Sequence, residues 1–66
     1  MDAHVEDGRN GLRYWWVRLD GRRESVCVGD TYEVENELIA VARANQIWAY
    51  RDSRDNAAKL VESRNP

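Results

Sequence analysis

The stretch LRYWWVRLDGRRESVCV, residues 12–28, decides the fold. Two runs rich in β-branched and aromatic residues flank Asp20-Gly21, a dipeptide that is among the strongest short-range signals for a β-hairpin. The pattern predicts a first strand over about 12–19 and a second over about 24–28. We therefore expect a small antiparallel β-sheet built on this hairpin.

Side chains of the predicted hairpin alternate between its two faces. One face would be apolar and consists of Trp15, Val17, Leu19, Val26 and Val28. A two-residue or a four-residue loop places the two strands' apolar residues on this same face, whereas a three-residue loop does not. The opposite face would then carry Tyr14, Trp16, Arg18, Ser25 and Cys27.

A helix is predicted over 32–44, after a break at Gly29. Asp30 or Thr31 would be its N-cap, and acidic residues follow in the first turn, where the helix dipole favours them. Apolar residues recur with the helical period at Val34, Leu38, Ile39, Val41 and Ala42. We expect this helix to cover the Trp15 face of the sheet, so the predicted fold class is α+β.

Residues 46–62 allow two interpretations. Asn45 is a common helix terminator and the residues of 47–50 favour β-structure, which predicts a strand at 46–51 and then a short helix or a returning strand at 57–62. Alternatively the helix continues, which would place Trp48 on the face of Leu38 and Val41. We favour the strand.

The 66 residues predict a single small domain, 1–66, with a limited core. A short strand at 3–5 would precede a polar loop, and we expect 1–9 and 63–66 to be mobile. No run of residues approaches the length of a membrane helix, and the acidic N-terminus lacks the apolar region of a signal peptide. These features predict a cytoplasmic protein.

Catalytic and metal-binding chemistry is poorly supported. The single cysteine excludes an intramolecular disulfide, and Cys27 with His4 cannot complete a four-ligand zinc site. His4, the only imidazole, lies near the N-terminus, and Cys27 lies in a predicted strand where we expect a small packed residue. We therefore expect no cofactor, no metal and no enzymatic activity.

Charge is distributed unevenly although the net charge is only −2. Residues 9–23 contain five arginines against one aspartate, whereas residues 24–42 contain five acidic residues and no base. The predicted hairpin is therefore basic and the segment after it is acidic. The acidic patch consists of Glu33, Glu35 and Glu37.

The Tyr14 face of the hairpin is the strongest candidate for recognition, because Trp, Tyr and Arg dominate interface hot spots. The candidate partner-binding residues are Tyr14, Trp16, Arg18, Arg22 and Arg23. Two alternatives compete: the C-terminal segment covers Trp16, or Arg18 pairs with Glu24 or Asp20. Association of two copies through an exposed tryptophan would also stabilise so thin a sheet.

We expect a non-enzymatic protein-binding module. Short chains without a catalytic set are often phage or mobile-element products that inhibit host machinery, including nucleic-acid-binding complexes such as CRISPR effectors. An anti-CRISPR-like inhibitor would act by steric or electrostatic occlusion, with the acidic patch engaging a basic channel.

A strand ending in DGRR (20–23), a second strand and then GDTYEVENEL (29–38) opening a helix resembles the arm-type DNA-binding domains of phage integrases. The resemblance covers about 12–44. It implies a sheet that lies in the major groove, with Arg13, Arg18, Arg22 and Arg23 facing DNA. DNA binding through the hairpin is therefore the alternative function, although a negative net charge favours a protein partner over a phosphate backbone.

Overall fold

A computed structural model describes residues 1–64. Three strands form one antiparallel sheet in the order β1-β2-β3 and are followed by one helix. The elements are β1 (Asp2–Asp7), β2 (Arg13–Arg18), β3 (Val26–Asp30) and α1 (Glu37–Arg64). The α+β class, with a sheet packed against one helix, is confirmed. Of the C-terminal segment expected to be mobile, residues 65 and 66 lie outside the described part of the chain.

Strand β1 pairs with β2 along its whole length, from Asp2 opposite Arg18 to Asp7 opposite Arg13. It is therefore longer than the strand expected at 3–5. The loop between the two strands is closed by the amide of Gly8, which donates to the carbonyl of Leu12 at 2.6 Å. Pairing of β1 makes the hairpin's first strand the centre of the sheet.

The β2–β3 hairpin keeps the predicted faces but has a longer loop. Val17 lies opposite Val26 and Trp16 opposite Cys27, the register of the four-residue-loop alternative. Regular pairing ends before the predicted four-residue loop is reached, because β2 ends at Arg18 and β3 begins only at Val26. Trp15 lies opposite Gly29, which leaves Val28 as an extra, bulged residue in β3.

The predicted helix start at 32 is wrong. Asp30 caps a turn, since its Oδ1 accepts from the amides of Tyr32 (2.8 Å) and Glu33 (2.9 Å). This turn does not continue into a helix, because α1 begins only at Glu37. The N-cap of α1 is Asn36, whose Oδ1 accepts from the amide of Ile39 at 3.0 Å. Val34, in the linker between the turn and the helix, is fully buried and contributes to the core from outside the helix.

The predicted strand at 46–51 is also wrong, as are the separate elements expected at 57–62. Helix α1 runs without a break for 28 residues, about 42 Å at 1.5 Å per residue. Asn45 does not end it, because its Nδ2 donates to the carbonyl of Val41 at 2.9 Å inside the helix. Over residues 1–64 no helix combines the length and apolar character needed to cross a membrane.

The core lies between α1 and the Trp15 face of the sheet, as predicted. Its buried members are Val17, Val26, Val28, Val34, Ala40 and Ala44. Ile47 and Trp48 pack at its margin. Leu38 was expected on this face but is 83% exposed, because it precedes Ala40 by two positions and so lies about 200° around the helix. Small residues on the core side bring the helix close to the sheet.

Candidate interaction surface

The sheet face opposite α1 is covered by no other element of residues 1–64. We call it the open face and define it as Asp2, His4, Glu6, Tyr14, Trp16, Arg18 and Cys27. Because paired residues of antiparallel strands share a face, Asp2 lies beside Arg18 and Glu6 beside Tyr14. His4 and Cys27 lie on the two sides of Trp16. Trp16 is therefore the centre of a three-stranded surface.

Trp16 is half-buried, and the source of its burial matters for function. The C-terminal segment does not cover it, since α1 packs on the other side of the sheet against Trp15 and Val17. Its partners on the two adjacent strands are His4 and Cys27. A tryptophan side chain supplies a large, rigid contact area at little cost in side-chain entropy.

Strand β1 brings acidic side chains to the open face. His4 lies between two carboxylates, with its Nδ1 3.6 Å from Asp2 and its Nε2 3.1 Å from Glu6. Arg18 is the one arginine on this face, so Asp2 and Glu6 outnumber it. The surface is thus mixed in charge rather than basic, which the hairpin alone did not indicate.

Tyr14 is fixed by the β1–β2 loop. Its hydroxyl accepts from the Nδ2 of Asn10 at 2.7 Å. The ring lies directly over Gly8, where a Cβ would come within 2.5 Å of the Tyr14 Cε1 atom. Only glycine therefore leaves room for the ring in this position.

The arginines predicted for recognition are separated by the fold. Arg18 stays on the open face, and its Nη1 donates to the carbonyl of Arg22 at 3.4 Å rather than pairing with Glu24 or Asp20. Arg22 turns towards α1, where it forms an ion pair with Asp52. Arg23 is exposed in the loop. Tyr14, Trp16 and Arg18 are brought together, whereas Arg22 is not part of their surface.

Trp48 carries a polar atom that sequence reasoning missed. Its Nε1 is buried and has no hydrogen-bond partner among the described residues. The guanidinium carbons of Arg22 and Arg51 lie 4.2 and 5.0 Å from the ring centroid. No local pattern signals this contact, because it joins a hairpin loop to a segment for which the sequence favoured a strand over a continuing helix.

The acidic patch does not form one helix face. Glu33 lies in the turn after β3, with its Oε2 3.8 Å from the Nη1 of Arg43. Glu35 lies in the linker, and only Glu37 belongs to α1. All three side chains are exposed, but the late start of the helix separates them.

Cys27 is exposed, so the expectation of a small packed residue is wrong. Its place on the open face, where no second layer covers the sheet, explains the difference. Across the described part of the chain, no group of three or more His, Cys, Asp or Glu side chains is arranged to hold a metal ion.

Comparison with known protein families, curated proteins and solved structures finds no match to this chain. What the protein does must therefore be inferred from its own geometry. The open face is the surface on which three of the five predicted recognition residues, Tyr14, Trp16 and Arg18, converge.

Proposed function

We propose that this chain is a non-enzymatic protein-binding module that contacts its partner through the open face. The observation that carries the proposal is the position of Trp16 at the centre of an uncovered three-stranded sheet. Tyr14 and Arg18 flank it on the same strand. These residue types contribute most of the binding energy at protein interfaces when they lie near the centre of the contact.

The charges support a protein partner over DNA. Affinity for a duplex comes largely from cations that neutralise phosphates. Arg13 lies 3.3 Å from Asp7, and Arg22 is occupied by Asp52. Two of the four arginines that the integrase resemblance would aim at DNA are therefore paired within the chain. A face of mixed charge around an aromatic centre is instead complementary to a protein surface that carries both positive and negative side chains.

The protein would act by occluding a host complex, as a phage-encoded, anti-CRISPR-like inhibitor. Its small size, and a sequence in which no group of catalytic residues is recognisable, support inhibition by occlusion of the partner rather than by an enzymatic reaction. Glu33, Glu35 and Glu37 add exposed negative charge at the start of α1. This patch would add electrostatic competition if the partner's contact surface lay beside a nucleic-acid channel.

The first test is capture of the partner from the host with the immobilised chain, followed by mass spectrometry. Trp16→Ala should abolish capture, whereas Tyr32→Ala should retain it, since Tyr32 is 80% exposed and lies outside the open face. Circular dichroism checks that both variants fold. If Trp16→Ala unfolds, Arg18→Glu replaces it. Capture that survives changes at both Trp16 and Arg18 would exclude the open face.

The second test separates inhibition of a host complex from DNA binding. In a target-cleavage assay with a CRISPR effector complex, the wild-type chain should suppress cleavage and Trp16→Ala should not. A labelled duplex should show no mobility shift at low salt. A shift that weakens steeply with added salt and is lost in Arg18→Glu and Arg23→Glu would establish the alternative function.

A further inference from the structure

The two outer edges of the sheet differ in what lies against them. At the β3 edge, the carbonyl of Val28 accepts from the Nη1 of Arg43 in α1 at 3.2 Å. The carbonyl of Asp30 accepts from the amide of Val34 in the linker at 2.8 Å. The β1 edge has no such cover, since no other element of residues 1–64 pairs with its outer side. An uncovered edge of this kind is a template for an added strand.

The backbone groups on the outer side of β1 belong to alternate residues. The carbonyl of Arg13 accepts from the amide of Thr31 at 2.9 Å, so the backbone of Arg13 faces β3. Its partner in β1 is Asp7, whose backbone therefore makes no hydrogen bond to β2 and faces outward. Since hydrogen-bonded and non-hydrogen-bonded pairs alternate along antiparallel strands, the backbones of Ala3 and Val5 face outward as well. The N–H and C=O groups of these three residues form a regular row, interrupted by neither a bulge nor a proline.

The side chains of β1 decide what kind of strand fits this edge. Ala3 packs against the core and Val5 is half-buried, so the side towards α1 is apolar. On the open face, Asp2 and Glu6 are exposed and lie on the two sides of His4. No lysine or arginine of residues 1–60 forms an ion pair with either carboxylate. The strand contains three acidic residues and neither lysine nor arginine.

We propose that β1 takes up an extended segment of the partner protein as a fourth, antiparallel strand, in which basic side chains alternate with apolar ones. Its basic residues lie opposite Asp2 and Glu6 on the open face. Its apolar residues lie opposite Ala3 and Val5, on the side of α1. A second copy of β1 is a poor occupant, because it would bring carboxylates together with no lysine or arginine between them. The inference rests on the proposed function, since it takes the partner to be a protein, and it extends the open face by one strand.

The probe is a short synthetic peptide of alternating lysine and valine, blocked at both ends and titrated into the protein by calorimetry. In the proposed pairing the valines form the hydrogen-bonded pairs with β1, because they lie opposite Ala3 and Val5. A peptide N-methylated at its valines should therefore lose about tenfold or more in affinity. A peptide N-methylated at its lysines should bind as the unmodified peptide does. All three peptides carry the same charge, so non-specific attraction to an acidic protein cannot produce this difference.

Amide hydrogen exchange locates the bound peptide. In the free protein, the amides of Ala3, Val5 and Asp7 should exchange faster than those of His4 and Glu6, whose backbones face β2. Saturation with the peptide should slow exchange most at the three outward amides. This measurement also checks the assignment of the outer row directly.

Two variants test the contacts from the side of the protein. Glu6→Gln should raise the dissociation constant of the peptide about two- to fivefold. Glu35→Gln, the same loss of charge at an exposed linker position, should leave it unchanged. Val5→Pro removes an outward N–H without removing a bond between β1 and β2, so it should abolish binding and retain the fold by circular dichroism. If Val5→Pro fails to fold, the N-methylated peptides decide with the wild-type protein.

Three results would overturn the inference: no binding of the unmodified peptide at about 1 mM, equal binding of the two N-methylated peptides, or slowed exchange outside β1 alone. The proposed function is judged separately, by capture of the host partner. Capture that requires Trp16 but persists in a folded Val5→Pro variant would support the open face and exclude the added strand. Peptide binding at β1 with capture indifferent to Trp16 and Arg18 would support the added strand and exclude the open face.

Discussion

The guanidinium carbon of Arg22 lies 4.2 Å from the centroid of the Trp48 ring and so joins the β2–β3 loop to the middle of α1. Asp52, one helical turn beyond Trp48, pairs with the same guanidinium. This contact gives an otherwise open loop a fixed position against the helix. It also explains why an arginine expected at the recognition surface is absent from it.

Arg22→Ala should lower the free energy of unfolding by about 1–2 kcal/mol, because both the stacking on Trp48 and the pair with Asp52 are lost. Urea denaturation followed by tryptophan fluorescence measures the change. Arg23→Ala, at the exposed neighbouring position, should stay within about 0.5 kcal/mol of wild type. A double-mutant cycle with Asp52→Ala should show coupling, and strict additivity would contradict the ion pair.

Trp15 should be more sensitive than its neighbour Trp16. The Nε1 of Trp15 donates to the carbonyl of Val34 at 2.9 Å, which fixes the linker before α1. Trp15→Phe removes this bond and should cost about 1–2 kcal/mol, and Trp15→Ala about 3–5 kcal/mol. Trp16→Phe, on the open face, should cost less than about 0.5 kcal/mol. Equal losses in thermal unfolding for the two Phe variants would show that the faces are assigned incorrectly.

Asn36→Ala should destabilise α1 at its start by about 1 kcal/mol, because the amide of Ile39 loses its side-chain acceptor. Asn36→Asp keeps an oxygen in place and adds a charge that the helix dipole favours, so it should match or exceed wild type. Far-UV circular dichroism during thermal unfolding measures both. If Asn36→Ala left the thermal unfolding of the helix unchanged, Asn36 would not be the N-cap of α1.

Acid should remove one stabilising contact at the end of the hairpin. The N-terminal ammonium of Met1 hydrogen-bonds to Asp20 and, with a smaller effect from Arg18, holds the pKa of this carboxyl below its usual 3.8. A carboxyl with a lowered folded-state pKa stabilises the fold above 3.8, and that contribution disappears as the pH falls through the folded value.

Asp20→Asn should therefore flatten the loss of stability with falling pH below about 3.8. N-terminal acetylation should have the same effect, and the two changes together should add little. Urea midpoints across the acid range provide the measurement. Since both groups are exposed, high salt should weaken the effect. If Asp20→Asn and N-terminal acetylation each left the loss of stability at low pH unchanged, the contact between Met1 and Asp20 would be excluded.

Local alternation was sufficient to predict the two faces of the hairpin. Val17, Val26 and Val28 are buried because side chains alternate along each strand, a property of neighbouring residues alone. The charge of the open face was not predictable in the same way. Asp2 and Glu6 reach it through the pairing of β1 with β2, and the register of that pairing is a non-local property.

The C-terminal helix illustrates how packing overrides local propensity. Asn45 and the β-favouring Ile47 and Trp48 predicted a strand, but these two side chains follow Ala44 by three and four positions. This helical spacing places them against the core. Burial of both outweighs the small intrinsic preferences, which differ by less than about 1 kcal/mol per residue.

The position of Cys27 gives the open face a built-in reporter. It is the chain's only thiol, it is accessible, and it lies directly across from Trp16 on the neighbouring strand. A thiol-reactive fluorophore can thus be attached at one defined position without engineering the sequence. Its emission would respond to the adjacent indole, and displacement of that contact by an arriving partner would be visible in real time.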